Sequence, residues 1–207
     1  MDYKAYDYTK KPWELNPWLT EEVIQKIASK FRDIQSACIE ERLDRVKGDS
    51  DYSFGHTVRA WRIRALKEAE KSGELEGLKI IIDKGNRFEF AIYDTTLKFY
   101  SSSPDNLGKN IFKKTSIENA GQYQLNLFGG SSEALYWRFI VQSAPNTHEY
   151  IATYILAFND NLEKVCVYKV DKNSISAPYD PQAGQKEAVR LPIPSFTKKH
   201  IEEKVAK

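Results

Sequence analysis

The sequence predicts an α+β fold, with an N-terminal helical hairpin packed on a mainly antiparallel sheet of about six strands. Two changes of pattern carry that prediction. From about residue 20 to 72, apolar residues recur at three- and four-residue steps; from 78 to 170 they alternate in short runs between turn residues. Four Trp, ten Phe and twelve Tyr supply bulk for a core in a chain of 207 residues.

Residues 1–19 read as an extended arm. Pro12 and Pro17 fix its path, and Trp13 and Trp18 give it apolar anchors. Such tryptophans more often dock on the protein's own body than on a partner. The first helix starts after Thr20, whose hydroxyl can cap free N–H groups, with Glu21 and Glu22 at the positive end. Ile24, Ile27, Phe31, Ile34 and Cys38 form one face of a helix running to about Lys47, with Gly48 as its stop. After a polar turn over 48–55, a second helix is expected at about 57–72. Its apolar line is Val58, Trp61, Ala65 and Ala69, and Gly73 lies just past its end. The short connection makes the two helices neighbours.

The period then changes to two. Strands are expected at 78–83, 87–94 and 97–100, with turns at Lys84-Gly85-Asn86 and Thr95-Thr96. Residues 101–132 read as a long irregular loop with Lys113-Lys114, Gly129-Gly130 and a short helix around 117–127. Three further strands follow at 135–142, 149–158 and 162–170, the last two joined by Asn159-Asp160-Asn161. In the middle one both faces are apolar, so both are expected to be covered, by helices on one side and by the long loop or the arm on the other. One α+β domain is thus expected over 20–170. Residues 171–207 read as a polar, proline-rich tail with a short terminal helix.

A net charge of +2, from 31 Lys and Arg against 29 Asp and Glu, gives no strong global field, so any polyanion binding needs a local patch. Residues 1–12 lack the apolar stretch of a signal peptide and no run approaches a membrane span, which makes the cytoplasm the expected compartment and a membrane partner unexpected. Cys38 and Cys166 have no metal or disulfide spacing and read as buried thiols. His56, His148 and His200 fall at turns or termini, where a solvated or capping role is expected. Gly-Lys-Ser/Thr loops, nucleophile elbows, His-Glu-x-x-His and dinucleotide fingerprints are missing.

The leading expectation is a non-enzymatic binding or regulatory protein that contacts nucleic acid through a basic helical hairpin. The stretch from Arg59 to Lys71 is the densest in cations, with Arg64, Lys67 and Lys71 on one outward face and Glu68 and Glu70 diluting it. Arg62 falls inside the apolar arc of its helix and should face a neighbour. With Glu41, Arg42 and Arg45 it forms either a net positive pocket for phosphate or carboxylate, or an ordinary Glu41–Arg62 pair, and the pair is the simpler reading. Arg138, between Trp137 and Phe139, must be paired if buried, with Glu89 or Glu149 as candidates.

An alternative is a metal-dependent nuclease. Glu40 or Glu41, Asp83 and Glu89 would hold Mg²⁺, and Lys98 would stand near the attacking water; no other cofactor is implied. The nuclease pattern of an Asp followed by Glu-x-Lys is broken here, because Phe90 and Ala91 follow Glu89. A third reading is a protein-binding inhibitor or accessory subunit using Trp13, Trp18 and the 101–132 loop. Oligomeric state and strand order are not legible from the sequence.

Overall fold

The computed structural model describes residues 10–44, 50–119 and 134–170. The expected tail over 171–207 lies outside them, as do the first nine residues. The chain enters through a single helical turn, α1 (Pro12–Leu15), opened by a proline whose missing N–H costs nothing at that position. Trp13 then packs edge-on against Tyr168 at 5.3 Å, Asn16 Nδ2 donates to Thr95 Oγ1 at 2.7 Å, and Trp18 lies over Tyr93 at 4.6 Å. The segment from Lys10 to Trp18 is therefore laid along the body. Trp18 remains 45% exposed.

Helix α2 (Glu21–Asp44) begins where Thr20 Oγ1 accepts the Val23 N–H at 3.3 Å. Its line of Ile24, Ile27, Phe31, Ile34 and Cys38 is buried, as periodicity requires. Helix α3 (Asp51–Ser72) begins a turn and a half before the expected start near 57. Ser50 Oγ accepts the Ser53 N–H at 3.2 Å, and Phe54 extends the buried face by a turn. Gly55, which reads as a turn residue in the sequence, sits inside the helix, where its cost is offset by that cap and that burial. The helix closes at Gly73 in the left-handed conformation, φ 69°.

Among the described residues, six strands lie in chain order across one sheet: β1 (Leu78–Lys84), β2 (Arg87–Ile92), β3 (Thr95–Ser101), β4 (Tyr136–Ser143), β5 (Tyr150–Phe158) and β6 (Lys164–Val170). Neighbours are antiparallel except β3 and β4, which run parallel from Leu97↔Trp137 to Ser101↔Val141. The turn expected at Thr95-Thr96 falls instead at Tyr93-Asp94. Tyr93 takes φ 50°, and Thr95 and Thr96 belong to β3.

A parallel neighbour cannot be reached by a hairpin, so the chain after β3 must cross over the sheet. Helices α2 and α3 cover one face, where Phe31 and Leu66 meet Phe90, Leu97, Phe99, Trp137, Phe139 and Ile155. The crossover covers the other: a 3-10 turn (Lys109–Phe112) sets Ile111 and Phe112 against Tyr136, Ile140, Leu156 and Phe158. Residues 116–119 are helical, capped by Thr115, whose Oγ1 accepts the Glu118 N–H at 3.1 Å. The rest of the short helix expected over 117–127 lies outside the described residues.

Gly77, just before β1, fixes the approach of the β2–β3 turn. Its φ is +74°, a Cβ there would stand 2.6 Å from the Tyr93 ring, and its carbonyl accepts the Tyr93 N–H at 2.8 Å. Gly77→Ala is expected to lower stability by about 1–3 kcal/mol in urea denaturation, from the backbone strain and the displaced ring; an unchanged midpoint would show that the turn relaxes freely.

Candidate functional site

The sheet divides between its second and third strands. β2 keeps its ladder with β1 down to Arg87↔Lys84, and β3 keeps its ladder with β4 up to Ser101↔Val141. Between β2 and β3 the register ends at Phe90↔Leu97, so Phe88 and Glu89 on one side and Lys98 to Ser101 on the other have no ladder partner across the gap. A wedge opens there, with its apex at the last paired residues. The cleft it forms has a volume of about 640 Å³.

Four segments bring cations to this cleft. Arg59 comes from α3, Lys84 and Arg87 from the β1–β2 turn, Lys98 from β3, and Lys113 and Lys114 from the crossover; among the described residues no carboxylate lines it. Arg59 is held in place by a bond from its guanidinium to the Asn86 carbonyl at 2.8 Å and by the Phe99 ring, 5.6 Å from its carbon. Lys114 Nζ lies 3.2 Å from Asp160 and 4.5 Å from the Tyr136 ring.

Glu89, fully buried, stands behind the cleft and braces it. Its carboxylate accepts from Arg87 Nε at 3.0 Å and the Ser116 N–H at 3.1 Å, and lies 3.3 Å from Lys98 Nζ. Lys98 Nζ also donates to the carbonyls of Lys113 and Lys114, both at 3.1 Å. Burial raises the pKa of Glu89, and the bonds from Ser116, Arg87 and Lys98 outweigh that and hold it below the ordinary 4.5. Burial pulls Lys98 down from its ordinary value, against the attraction of Glu89.

On the neighbouring strand, opposite Lys98, Arg138 is 1% exposed and fully engaged. It makes a bidentate pair with Glu118, at 2.7 and 2.9 Å, and donates to the carbonyls of Ile111, Lys113 and Trp137. The expectation of a buried, paired Arg138 holds, but its partner is neither Glu89 nor Glu149. Glu118 reaches it from the crossover, a segment the strand pattern could not place.

The residues expected to form the basic hairpin site are scattered. Arg42 bonds Asp51 at 3.0 Å and covers the Phe54 ring; Arg64 pairs with Glu68 at 2.8 Å and Lys67 with Asp83; Lys71 is exposed; Arg45 lies outside the described residues. Only Arg59 reaches the cleft. Arg62 does face inward, but it meets Gln35 Oε1 at 2.7 Å and Ser101 Oγ at 2.9 Å, with the Phe31 ring 5.5 Å away, rather than Glu41. Burial pushes its pKa down to about 10, and its Nε has no acceptor among the described residues.

The nuclease set is not assembled either. Asp83 stands opposite Phe88 on the helix-covered face, while Glu89 and Lys98 point to the crossover side and Glu41 lies on α2. Among the described residues no group of three or more His, Cys, Asp or Glu gathers as a metal site, and no helix is long and apolar enough to cross a membrane. His148 contacts Asp51 at 3.0 Å, and His56 meets Tyr52. Both cysteines are buried, with no disulfide between them. Of the cleft's cations the sequence singles out Arg59, Lys98 and the Lys113-Lys114 pair, each for a different reason, and nothing in it brings them together. No family model, curated protein or solved structure matches this chain.

The brace makes stability pH-dependent. A carboxylate whose folded pKa lies below its unfolded one contributes stability above the unfolded value and loses it as the pH falls through the folded one. The advantage of the wild-type protein over Glu89→Gln in urea denaturation is therefore expected to be full above about pH 5 and to shrink on acidification. A difference independent of pH would mean that the glutamate packs without acting as a charge.

Proposed function

We propose that the protein is a non-enzymatic binder of nucleic acid, holding the phosphates of a single strand in the cleft between β2 and β3. The observation that carries this reading is the convergence of six cations, from four segments, on a cleft with no carboxylate lining it among the described residues. Glu89 behind the lining and Asp160 beside it offset the charge of Arg87, Lys98 and Lys114, so among the described residues the excess positive charge rests on Arg59, Lys84 and Lys113, whose mutual repulsion an incoming anion relieves. Its volume is that of a small-molecule site, roughly 300–1,000 Å³, and helices and crossover wall it on both faces of the sheet, so a flexible strand fits and a rigid duplex does not. Arg59, Arg87, Lys98 and Lys114 are already steered by neighbouring acceptors or rings, which lowers the entropy lost on binding.

The outer face of α3 is a poorer candidate, because Arg64 and Lys67 spend their charge on Glu68 and Asp83. This relocates the interaction from the hairpin to the sheet while keeping Arg59 in it. Phosphate contacts release counterions, so affinity should fall steeply with salt.

The test is fluorescence anisotropy with labelled single- and double-stranded DNA and RNA at two salt concentrations, with Mg²⁺ or chelator. Single strands are expected to bind in both metal conditions without being cut. Lys84→Ala/Lys113→Ala is expected to weaken binding and to reduce the salt slope by roughly one for each phosphate no longer neutralised. Arg64→Ala/Lys71→Ala should change little. Loss of binding in the α3 pair alone would return the interaction to the hairpin, Mg²⁺-dependent cleavage would favour the nuclease alternative, and no binding to any strand would overturn the proposal.

A further inference from the structure

The shape of the cleft narrows the ligand further, resting on the nucleic-acid reading above. The wedge between β2 and β3 has a closed apex, because the ladder resumes at Phe90↔Leu97 and the Glu89–Lys98 pair, at 3.3 Å, bridges the strands just outside it. The Lys113 and Lys114 carbonyls tie the crossover to the same Lys98 from below, and Arg59, with Phe99 beneath it, closes the side toward α3. A strand running through would need two open ends. With the apex bridged and the side toward α3 closed, the end of a chain is the part that reaches deepest toward the apex.

The lining also lacks a surface for bases. Phe88 and Phe99 are each 5% exposed and belong to the core, where Phe99 meets Phe31 at 5.1 Å and Phe88 at 5.8 Å. The Tyr100 hydroxyl is committed to the Asn110 carbonyl at 3.0 Å. Stacking platforms of the kind that hold internal bases are therefore not presented. What is presented is positive charge from both layers and from the β1–β2 turn. That arrangement suits a phosphomonoester, with close to two negative charges and three terminal oxygens, better than a diester with one charge and two.

From these observations we infer that the cleft is a pocket for the terminal phosphate of a single-stranded nucleic acid. Lys84, Arg87, Lys113 and Arg59 surround the phosphate, and Lys98, backed by the buried Glu89, forms the floor. The bases stay outside, so recognition is independent of sequence.

The experiment compares one labelled oligonucleotide in four forms: with a 5′-phosphate, with a 3′-phosphate, with hydroxyls at both ends, and closed into a circle. AMP and adenosine serve as competitors. At least one phosphorylated form is expected to bind about tenfold tighter than the hydroxyl and circular forms, the effect of roughly one further charge-assisted hydrogen bond. That preference should be lost in Lys84→Ala/Lys113→Ala, whose exposed positions leave the fold intact by circular dichroism and thermal melting. AMP should displace the phosphorylated strand and adenosine should not. Equal binding of all four forms would overturn the terminal-phosphate inference and leave the nucleic-acid reading in place. AMP binding without any binding of the oligonucleotides would overturn that reading and leave a phosphomonoester pocket for a mononucleotide. Silence from every probe would overturn both.

Discussion

The bidentate pair between Arg138 and Glu118 is the contact on which the rest of the molecule hangs. Because β3 and β4 are parallel, the chain between them must pass over the sheet, and Arg138 fixes where it passes. Its guanidinium collects the carbonyls of Ile111 and Lys113 along with the Glu118 carboxylate, pinning three points of the crossover to one strand. A buried ion pair adds little net stability over an apolar replacement, but removing one partner strands a charge at a cost of about 3–5 kcal/mol. The pair thus acts chiefly as a register device. With the crossover in place, Ile111 and Phe112 cover Tyr136, Ile140 and Phe158, and the second face of the sheet becomes core.

The same register creates the cleft. Once residues 113–116 are held over β3, their backbone supplies the acceptors for Lys98 and the N–H for Glu89, so this opposed pair of charges is satisfied from the crossover. β2 and β3 then need not close their ladder beyond Phe90 and Leu97. Strand residues that leave a ladder must find other partners or water, and here the gap is lined by groups that hold water or an anion well. Core and site therefore share one set of contacts.

Much of the fold was legible because local periodicity and tight turns are local signals. The buried line of α2, the Gly73 stop, the Gly85 turn and the 159–161 turn all fall where patterning put them. Gly55 hid the first turn of α3, since a cap and a buried Phe54 outweigh one glycine. The parallel β3–β4 neighbours were not legible, because nothing in either strand records which partner lies beside it. The cleft was not legible as a unit for the same reason. Its cations come in ones and twos from segments far apart in sequence, whereas the dense run from Arg59 to Lys71 drew attention, although Arg64 and Lys67 in it are paired with Glu68 and Asp83 and Arg62 is turned into the core.

Arg62 completes the electrostatic account. Among the described residues it is buried with two neutral hydrogen-bond acceptors and an aromatic ring but no carboxylate, an arrangement that lowers its pKa only to about 10 and so leaves it charged at neutral pH. A charge held this way in a region of low dielectric is poorly screened, so its field extends further than that of an exposed lysine. It sits one helical turn from Arg59, and it bonds Ser101, the residue after Tyr100 at the end of β3. Its positive potential therefore adds to that of the cleft without occupying it. The same residue joins α2, α3 and β3 in the core. The hairpin thus sets a buried positive charge behind the cleft, while Arg64 and Lys67 on its outward face are paired with Glu68 and Asp83.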